Sequence, residues 1–319
     1  MHLGNASTAL LVWLSVRSRG GSLVMRMEDL DRPRVVSGAA ERILADTAWL
    51  GLDWDEGPDR GGPHVPYEQG KRGDRYRQAF DALQDAGRVY PCFCSRKDIA
   101  AAASAPQAPG DEILYPGTCR DLDPGEADRR VRAGERHSWR FRVEPDRIPA
   151  FHDLVLGRCD GTGRRRPGDF VVQRFDGTAA YQLAVVVDDT EMGIDEVVRG
   201  DDLVSSGFRQ VLLYDALGLR TPVFGHVPLL LGPDGVRLSK RHEGTSLHEL
   251  REAGWSASEV VGTLASLLGL TDLREPVEPR DLLPGFSLDR VRRVDGGIVL
   301  PRRLERPRTA RGSIEASGE

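Results

Sequence analysis

Residues 5–17 carry the first clear pattern: Ala9, Leu10, Trp13 and Leu14 recur at the spacing of one helix face. Gly20-Gly21 is expected to end that helix. Residues 22–27 are a short apolar run suited to a buried strand, and the acidic stretch Glu28-Asp29-Leu30-Asp31 leaves its carboxyl end. A second helix is predicted over residues 37–50. A loop rich in Gly, Pro and Asp then runs to Tyr67, and a third helix continues to about Ala86. Helix–strand–helix alternation of this kind predicts half of a doubly wound parallel sheet. Ligands of such sheets bind beyond the carboxyl ends of the strands, so Glu28, Asp29 and Asp31 are expected near a crevice. A strand is also expected to feed the first helix, and only Met1 precedes His2.

From Pro91 to about Pro149 the pattern fades into Ala, Pro, Gly and Arg, as an insertion between two sheet halves would. Sheet-like runs return at residues 170–174, with Asp176-Gly177 as a hairpin turn. Residues 181–187 read as a nearly continuous apolar strand ending at Asp188-Asp189, and a shorter one ends at Arg199-Gly200-Asp201-Asp202. A helix is predicted over residues 205–217, and two short ones over 246–253 and 256–268 form a small cap. The expected fold class is α/β, a Rossmann-like parallel sheet with an insertion and a small C-terminal helical region. The expected divisions are residues 1–90, 91–168, 169–235, 236–300 and a basic, disordered tail over 301–319.

With 39% hydrophobic and 29% charged residues, the 319-residue chain suits a globular protein with a sizeable core. No apolar run approaches the length of a membrane span. The run over residues 9–16 lacks the basic start and cleavage site of a secretory signal, so a cytosolic protein is expected; a monomer is expected as well. A net charge of −5 argues against a generic polyanion binder. Local basic runs (Arg129-Arg130-Val131-Arg132, Arg164-Arg165-Arg166, Arg292-Arg293 and the arginines from Arg302 to Arg311) are either solvated faces or a steering surface for nucleic acid. Four cysteines in so long a chain do not make a disulfide framework.

Two constellations carry chemistry. In His2-Leu3-Gly4-Asn5, a glycine and an Asn N-cap open a helix, an arrangement that presents backbone N–H groups to a phosphate; His2 and Asn5 add side-chain donors. A turn with an Asn cap would look the same. Far along the chain stands Val236-Arg237-Leu238-Ser239-Lys240-Arg241. Of 44 basic residues only Lys71, Lys97 and Lys240 are lysines. Lysine at this place therefore suggests a need for a compact ammonium on a flexible stem. The second constellation is Cys92-Phe93-Cys94 with Tyr115-Pro116-Gly117-Thr118-Cys119, two knuckles suited to a tetrahedral zinc ion. Spacing leaves the fourth ligand open: chemistry favours Cys159 or His137, while Tyr115 precedes Cys119 by one turn. Three unrelated buried thiols are the alternative.

The segments HLGNASTALL, MRMEDLDRPR, LGLDWDEGP, CFCSRKDI with YPGTCR, YQLAVVVDD, VVRGDDL and RLSKR occur in the order found in glutamyl-tRNA synthetase-like proteins. The first and last resemble the HIGH and KMSKS elements of class I aminoacyl-tRNA synthetases, with Asn5 for the second histidine and Arg237 for the first lysine. The Cys-x-Cys, the Tyr-x3-Cys and the short C-terminal part look like the glutamyl-Q tRNA(Asp) synthetase branch, over about residues 1–290. The resemblance implies a ligase that activates L-glutamate with ATP and Mg2+ and transfers it to queuosine in the anticodon of tRNA(Asp). It implies His2, Gly4, Asn5, Ser239 and Lys240 at ATP, His2 and Lys240 being catalytic. Glu28, Tyr181 and Arg199 fall at L-glutamate, and Cys92, Cys94, Tyr115 and Cys119 at one structural Zn2+. Alternatives are a shortened glutamyl-tRNA synthetase that charges a tRNA 3′ end, and an inactive zinc-containing tRNA-binding protein.

Overall fold

The structure is a computed structural model that describes the chain except residues 32, 34, 103–113, 239–243, 273–274, 295 and 308–319. Its helices are α1 (Leu3–Arg17), α2 (Ala39–Trp49), α3 (Gly73–Asp85), α4 (Arg96–Ala102), α5 (Pro124–Arg132), α6 (Tyr181–Glu191), α7 (Val204–Ala216), α8 (Leu247–Glu252) and α9 (Ala257–Leu267). The strands are β1 (Val89–Cys92), β2 (Ser138–Phe141), β3 (Ala150–Asp153), β4 (Gly157–Asp160), β5 (Phe170–Gln173), β6 (Glu196–Gly200), β7 (Val223–Val227), β8 (Leu230–Leu231) and β9 (Ile298–Val299).

The main sheet has the order β4-β3-β7-β6. β3, β7 and β6 run parallel, and β4 is the antiparallel return of β3. A second sheet, β1-β2-β5, is antiparallel throughout. β5 thus belongs with β1 and β2 rather than reopening the main sheet, and β3, inside the stretch that reads as insertion, joins the main sheet.

α1 is buried on most sides, with Leu3, Ala6, Leu10, Leu11 and Leu14 at 0–1% exposure in a core shared with Val198 of β6 and with α8 and α9. Gly20, in the left-handed region at φ 68°, closes the helix as expected. α8 and α9 each open on a reciprocal Ser–Glu capping box, Ser246 with Glu249 and Ser256 with Glu259.

Further expectations are corrected. Residues 181–187 form the first turns of α6, not a strand. Leu183 to Asp189 are all buried, so the run shows no helical stripe, and a continuous apolar segment of this length is read equally well either way. Residues 22–27 form no strand ladder among the described residues, only isolated parallel bridges from Val24 to Glu56 and from Met27 to Glu68. On the other side, a cavity of about 1000 Å3 separates them from β6, so neither gains ladder bonds from the other. The third helix starts later than expected, at Gly73, after a short 3-10 turn over Gln69–Lys71. Most of the tail expected to be disordered, 308–319, lies outside the described residues.

Candidate active site and metal centre

The amino end of α1 is built differently from its sequence reading. His2, not Asn5, is the N-cap: its backbone is extended, and its Nδ1 accepts from the Asn5 N–H at 3.3 Å. Gly4 makes this possible, since a Cβ there would lie 3.1 Å from two atoms of the His2 ring. The Leu3 N–H goes to the Thr245 carbonyl at 2.9 Å, and Leu247 N–H returns to Met1 at 2.9 Å. This pairing brings the chain just beyond residues 239–243 against the start of α1. Burial lowers the His2 pKa below its ordinary 6.5, helped by the N-terminal charge and Arg237. The imidazole is therefore neutral near pH 7 and offers one N–H donor.

Residues remote in sequence meet around a cavity of about 540 Å3, lined by His2, Gly4 and Asn5 on one side and by Glu28, Arg199 and Arg237 on others. The larger cavity shares Arg26, Glu28 and Arg199 with it and adds Tyr181 and Asp189. All candidates for ATP and glutamate that the structure describes thus line one crevice. The smaller cavity lies at the carboxyl end of β6, by Arg199, Gly200 and Asp202, where a parallel sheet holds ligands, and the larger one runs back along β6 to Glu196. Ser239 and Lys240 lie outside the described residues; their neighbours Arg237 and Leu238 line the crevice, and Arg237 pairs with Asp202 at 2.7 Å.

Glu28 is exposed at the crevice and accepts from Arg26 Nη2 at 3.3 Å. Arg26 is anchored on Asp189 at 2.7 Å. Burial opposes the Arg26 charge, but Asp189, Glu28 and Asp188 outweigh it and raise its pKa. Tyr181, first residue of α6, has its pKa raised by burial and then by the Glu28 charge. Arg199 is 7% exposed; burial lowers its pKa, with the Tyr181 side chain opposing. Among the described residues its Nη2 has no hydrogen-bond partner, nor has Nε2 of the buried Gln210 beside it. An unpaired buried donor costs about 1–3 kcal/mol, and Arg199, unlike Gln210, lines both cavities, so an anionic ligand there would remove its share of that cost. The sequence reading did not single out the groups that hold Arg199: Gln210, and His226 of β7. A histidine inside the otherwise apolar 223–231 run was the available signal.

The metal candidates sit at the far end of the antiparallel sheet. Sγ atoms of Cys92, Cys94 and Cys119 all lie within 4.8 Å of one another, with Cys94 and Cys119 3.5 Å apart. A zinc tetrahedron with Zn–S of about 2.3 Å has edges of ~3.8 Å, so the three thiols fit one face of it. Tyr115 Oη is 3.7 Å from Cys94 Sγ and accepts from the Cys119 N–H at 2.7 Å. It thus points its oxygen at the same point. Burial pushes the Cys94 thiol up to about 11. Burial also opposes the Cys119 thiolate, but hydrogen bonds from Tyr115, the Phe93 backbone and Cys94 bring its pKa below the ordinary value. Such competition for one proton among clustered thiols is what a cation relieves. Cys159 is elsewhere, on β4 opposite Phe151. His137 lies tilted against Phe93 with its Nδ1 on the Glu135 carbonyl, outside the cluster.

The basic run on α5 is largely paired at short range: Arg129 with Glu126, Arg130 with Glu135, and Arg132 with Asp128 at 3.8 Å. No helix of the described residues is long and apolar enough to cross a membrane.

Residues 1–284 match the family of class I tRNA synthetases (E and Q), catalytic domain. The chain belongs to this family. It is 54% identical over 297 residues to the glutamyl-Q tRNA(Asp) synthetase of Symbiobacterium thermophilum, covering 92% of this chain and 90% of that protein. It is 48% identical to the protein of the same name from Nitratidesulfovibrio vulgaris, covering 88% and 86%. Glutamate–tRNA ligase 2 of Alkalilimnicola ehrlichii is 44% identical, and there the chain spans only 56% of the relative. Among solved structures, a glutamate–tRNA synthetase from Elizabethkingia anophelis superposes with a TM-score of 0.82 at 28% identity, over 94% of this chain and 66% of that one.

Proposed function

We propose that this protein activates L-glutamate with ATP and transfers it to queuosine in the anticodon of tRNA(Asp). The observation that carries the reading is the crevice itself. It joins a helix amino end, a carboxylate and a buried arginine with an unpaired Nη2 in a chain that spans nearly the full length of glutamyl-Q tRNA(Asp) synthetases. Arg199 takes the side-chain carboxylate of the amino acid, Glu28 its ammonium, and Tyr181 closes the pocket. His2, Gly4, Asn5, Ser239 and Lys240 hold the nucleotide, His2 and Lys240 countering charge on the reacting phosphates.

The α-carboxylate oxygen of glutamate attacks the α-phosphorus of ATP, and the bond to pyrophosphate breaks. A hydroxyl of the queuosine ring then attacks the acyl carbon, the bond from that carbon to the phosphate oxygen breaks, AMP leaves and the hydroxyl proton passes to water. No covalent enzyme intermediate is needed; the protein contributes position and electrostatics. Mg2+ enters with ATP. Cys92, Cys94 and Cys119, with Tyr115 beside them, would hold a Zn2+ ion that would tie the two knuckles of the insertion together. The enzyme works in the cytoplasm as a monomer.

Labelled glutamate is expected to attach to queuosine-containing tRNA(Asp) whose 3′-terminal adenosine has been removed, and not to unmodified tRNA(Asp). The similarity to glutamate–tRNA ligases supports a second reading, charging of a tRNA 3′ end. Label that disappears with the terminal adenosine would establish that reading instead.

A further inference from the structure

Three neighbouring strands each place one polar side chain at their carboxyl ends. Asp153 ends β3, His226 is the penultimate residue of β7, and Arg199 is the penultimate residue of β6. Arg199 and His226 are direct register partners. All three are buried, at 1%, 0% and 7% exposure respectively. His226 Nδ1 is 2.6 Å from Asp153 Oδ2, and Arg199 Nε donates to His226 Nε2 at 3.1 Å. Burial would raise the Asp153 pKa, but hydrogen bonds from the His226 side chain and from backbone N–H groups of Leu156, His226 and Val155 bring it below the ordinary value. The carboxylate is therefore ionised and accepts only, while the guanidinium donates only. An imidazole between them satisfies both in one form alone: neutral, with hydrogen on Nδ1 and a bare Nε2.

The guanidinium is fixed on its other edges too. Nη1 donates to Gln210 Oε1 at 2.8 Å. A Cβ on Gly207 of α7 would lie 3.3 Å from Nη2, so the helix backbone closes against it. What is left is Nη2, buried and without a partner among the described residues.

Resting on the glutamate reading above, we infer that Asp153 and His226 are positioning residues that set amino acid specificity. Through the neutral imidazole they hold Arg199 with Nη2 presented to the side-chain carboxylate of the substrate. Neither residue touches the substrate. A bidentate or forked contact to a carboxylate depends on the plane of the guanidinium, and a rotated Arg199 would bind glutamate weakly while leaving the nucleotide site intact.

The test reverses the hydrogen-bond direction without changing shape. In Asp153→Asn the amide oxygen keeps the backbone N–H bonds, and its NH2 faces His226 Nδ1. The imidazole hydrogen then moves to Nε2 and confronts Arg199 Nε–H. Calorimetry should show glutamate affinity down tenfold or more, with ATP affinity within twofold of wild type. Imidazole 15N spectra should show the His226 hydrogen on Nδ1 in wild type and on Nε2 in the variant. A second pair separates positioning from folding: His226→Gln keeps an acceptor near Arg199 and should retain more glutamate affinity than His226→Asn, which keeps only the donor to Asp153. Glutamate affinity of Asp153→Asn within twofold of wild type, or a wild-type hydrogen on Nε2, overturns the inference. A wild-type protein with bare Nε2 that binds no glutamate upholds the Asp153–His226–Arg199 arrangement and overturns the substrate reading alone.

Discussion

Arg72 heads the fully buried side chains by size and ties three parts of the molecule together. Its Nε donates to Asp188 at 2.6 Å, its Nη1 to the carbonyls of His64 and Pro66 at 3.1 and 2.9 Å, and its Nη2 to Glu191 at 2.7 Å. Asp188, with 0% exposure, also accepts from Gln69 at 2.8 Å and from the Tyr76 hydroxyl at 2.9 Å. Arg72→Met preserves the apolar stem and removes every guanidinium bond, leaving the buried Asp188 carboxylate with two neutral donors and only the looser Arg26 pairing at 3.8 Å. Breaking a buried pair from one side costs about 3–5 kcal/mol. With an unfolding entropy of ~2.1 cal/mol/K per residue, over 319 residues, that corresponds to a Tm lower by roughly 4–8 °C. Urea unfolding followed by circular dichroism gives the free energy directly. A double-mutant cycle with Asp188→Asn should return a coupling near the upper end of the ~0.5–3 kcal/mol range for contacting residues. Because Asp188 lies about two turns along α6 from Tyr181, the KM for L-glutamate should rise as well. A cost below about 1 kcal/mol, the size of an ordinary point substitution, or strict additivity in the cycle would refute the reasoning.

Two further outcomes follow from the metal cluster and from the loop beside the large cavity. The purified protein should carry about one zinc per chain; Cys119→Ser should lose it and Cys159→Ser should keep it, and metal analysis showing equal loss in both would remove the assignment. Hydrogen bonds from Tyr67 and His64 hold the Glu56 carboxyl below its ordinary 4.5. The unfolded chain therefore binds the proton first as pH falls, and the stabilisation, full above pH 4.5, is lost as pH drops through the lower folded value. The stability gap between wild type and Glu56→Gln, measured by urea unfolding from pH 7 to 3.5, should shrink on acidification; a gap that widens would reverse the sign.

Some of the site was legible residue by residue. The His2-Leu3-Gly4-Asn5 start, the cysteine knuckles and Arg199 at a strand end are each local arrangements, and the structure sets them at one crevice and one metal cluster. Even there the chemistry was misassigned by one step: Asn5 reads as the cap because asparagine is a good one. His2 takes the role because Gly4 leaves room for its ring. Spacing left the fourth candidate ligand open between Cys159, His137 and Tyr115, and the structure sets only Tyr115 beside the thiols. Tyr115 reaches the thiols because its oxygen is held by the Cys119 N–H, a contact that depends on the fold of the knuckle.

By itself the sequence determined what a few consecutive residues decide: α1 and its glycine stop, α7, and the two capped helices near Ser246 and Ser256. Periodicity, caps and turn residues act within one or two turns of backbone, so they survive without knowledge of neighbours. The tertiary structure alone decided α6. Seven buried residues in a row carry no period, and the surroundings of Asp188 and Asp189, not valine's preference for strands, settle the helix. It also decided the row Asp153–His226–Arg199. Those residues are 73 and 27 positions apart in the two contacts, and only the parallel register of β3, β7 and β6 brings them side by side. Strand register is a property of the sheet, not of any one segment, and no stretch of the chain contains it.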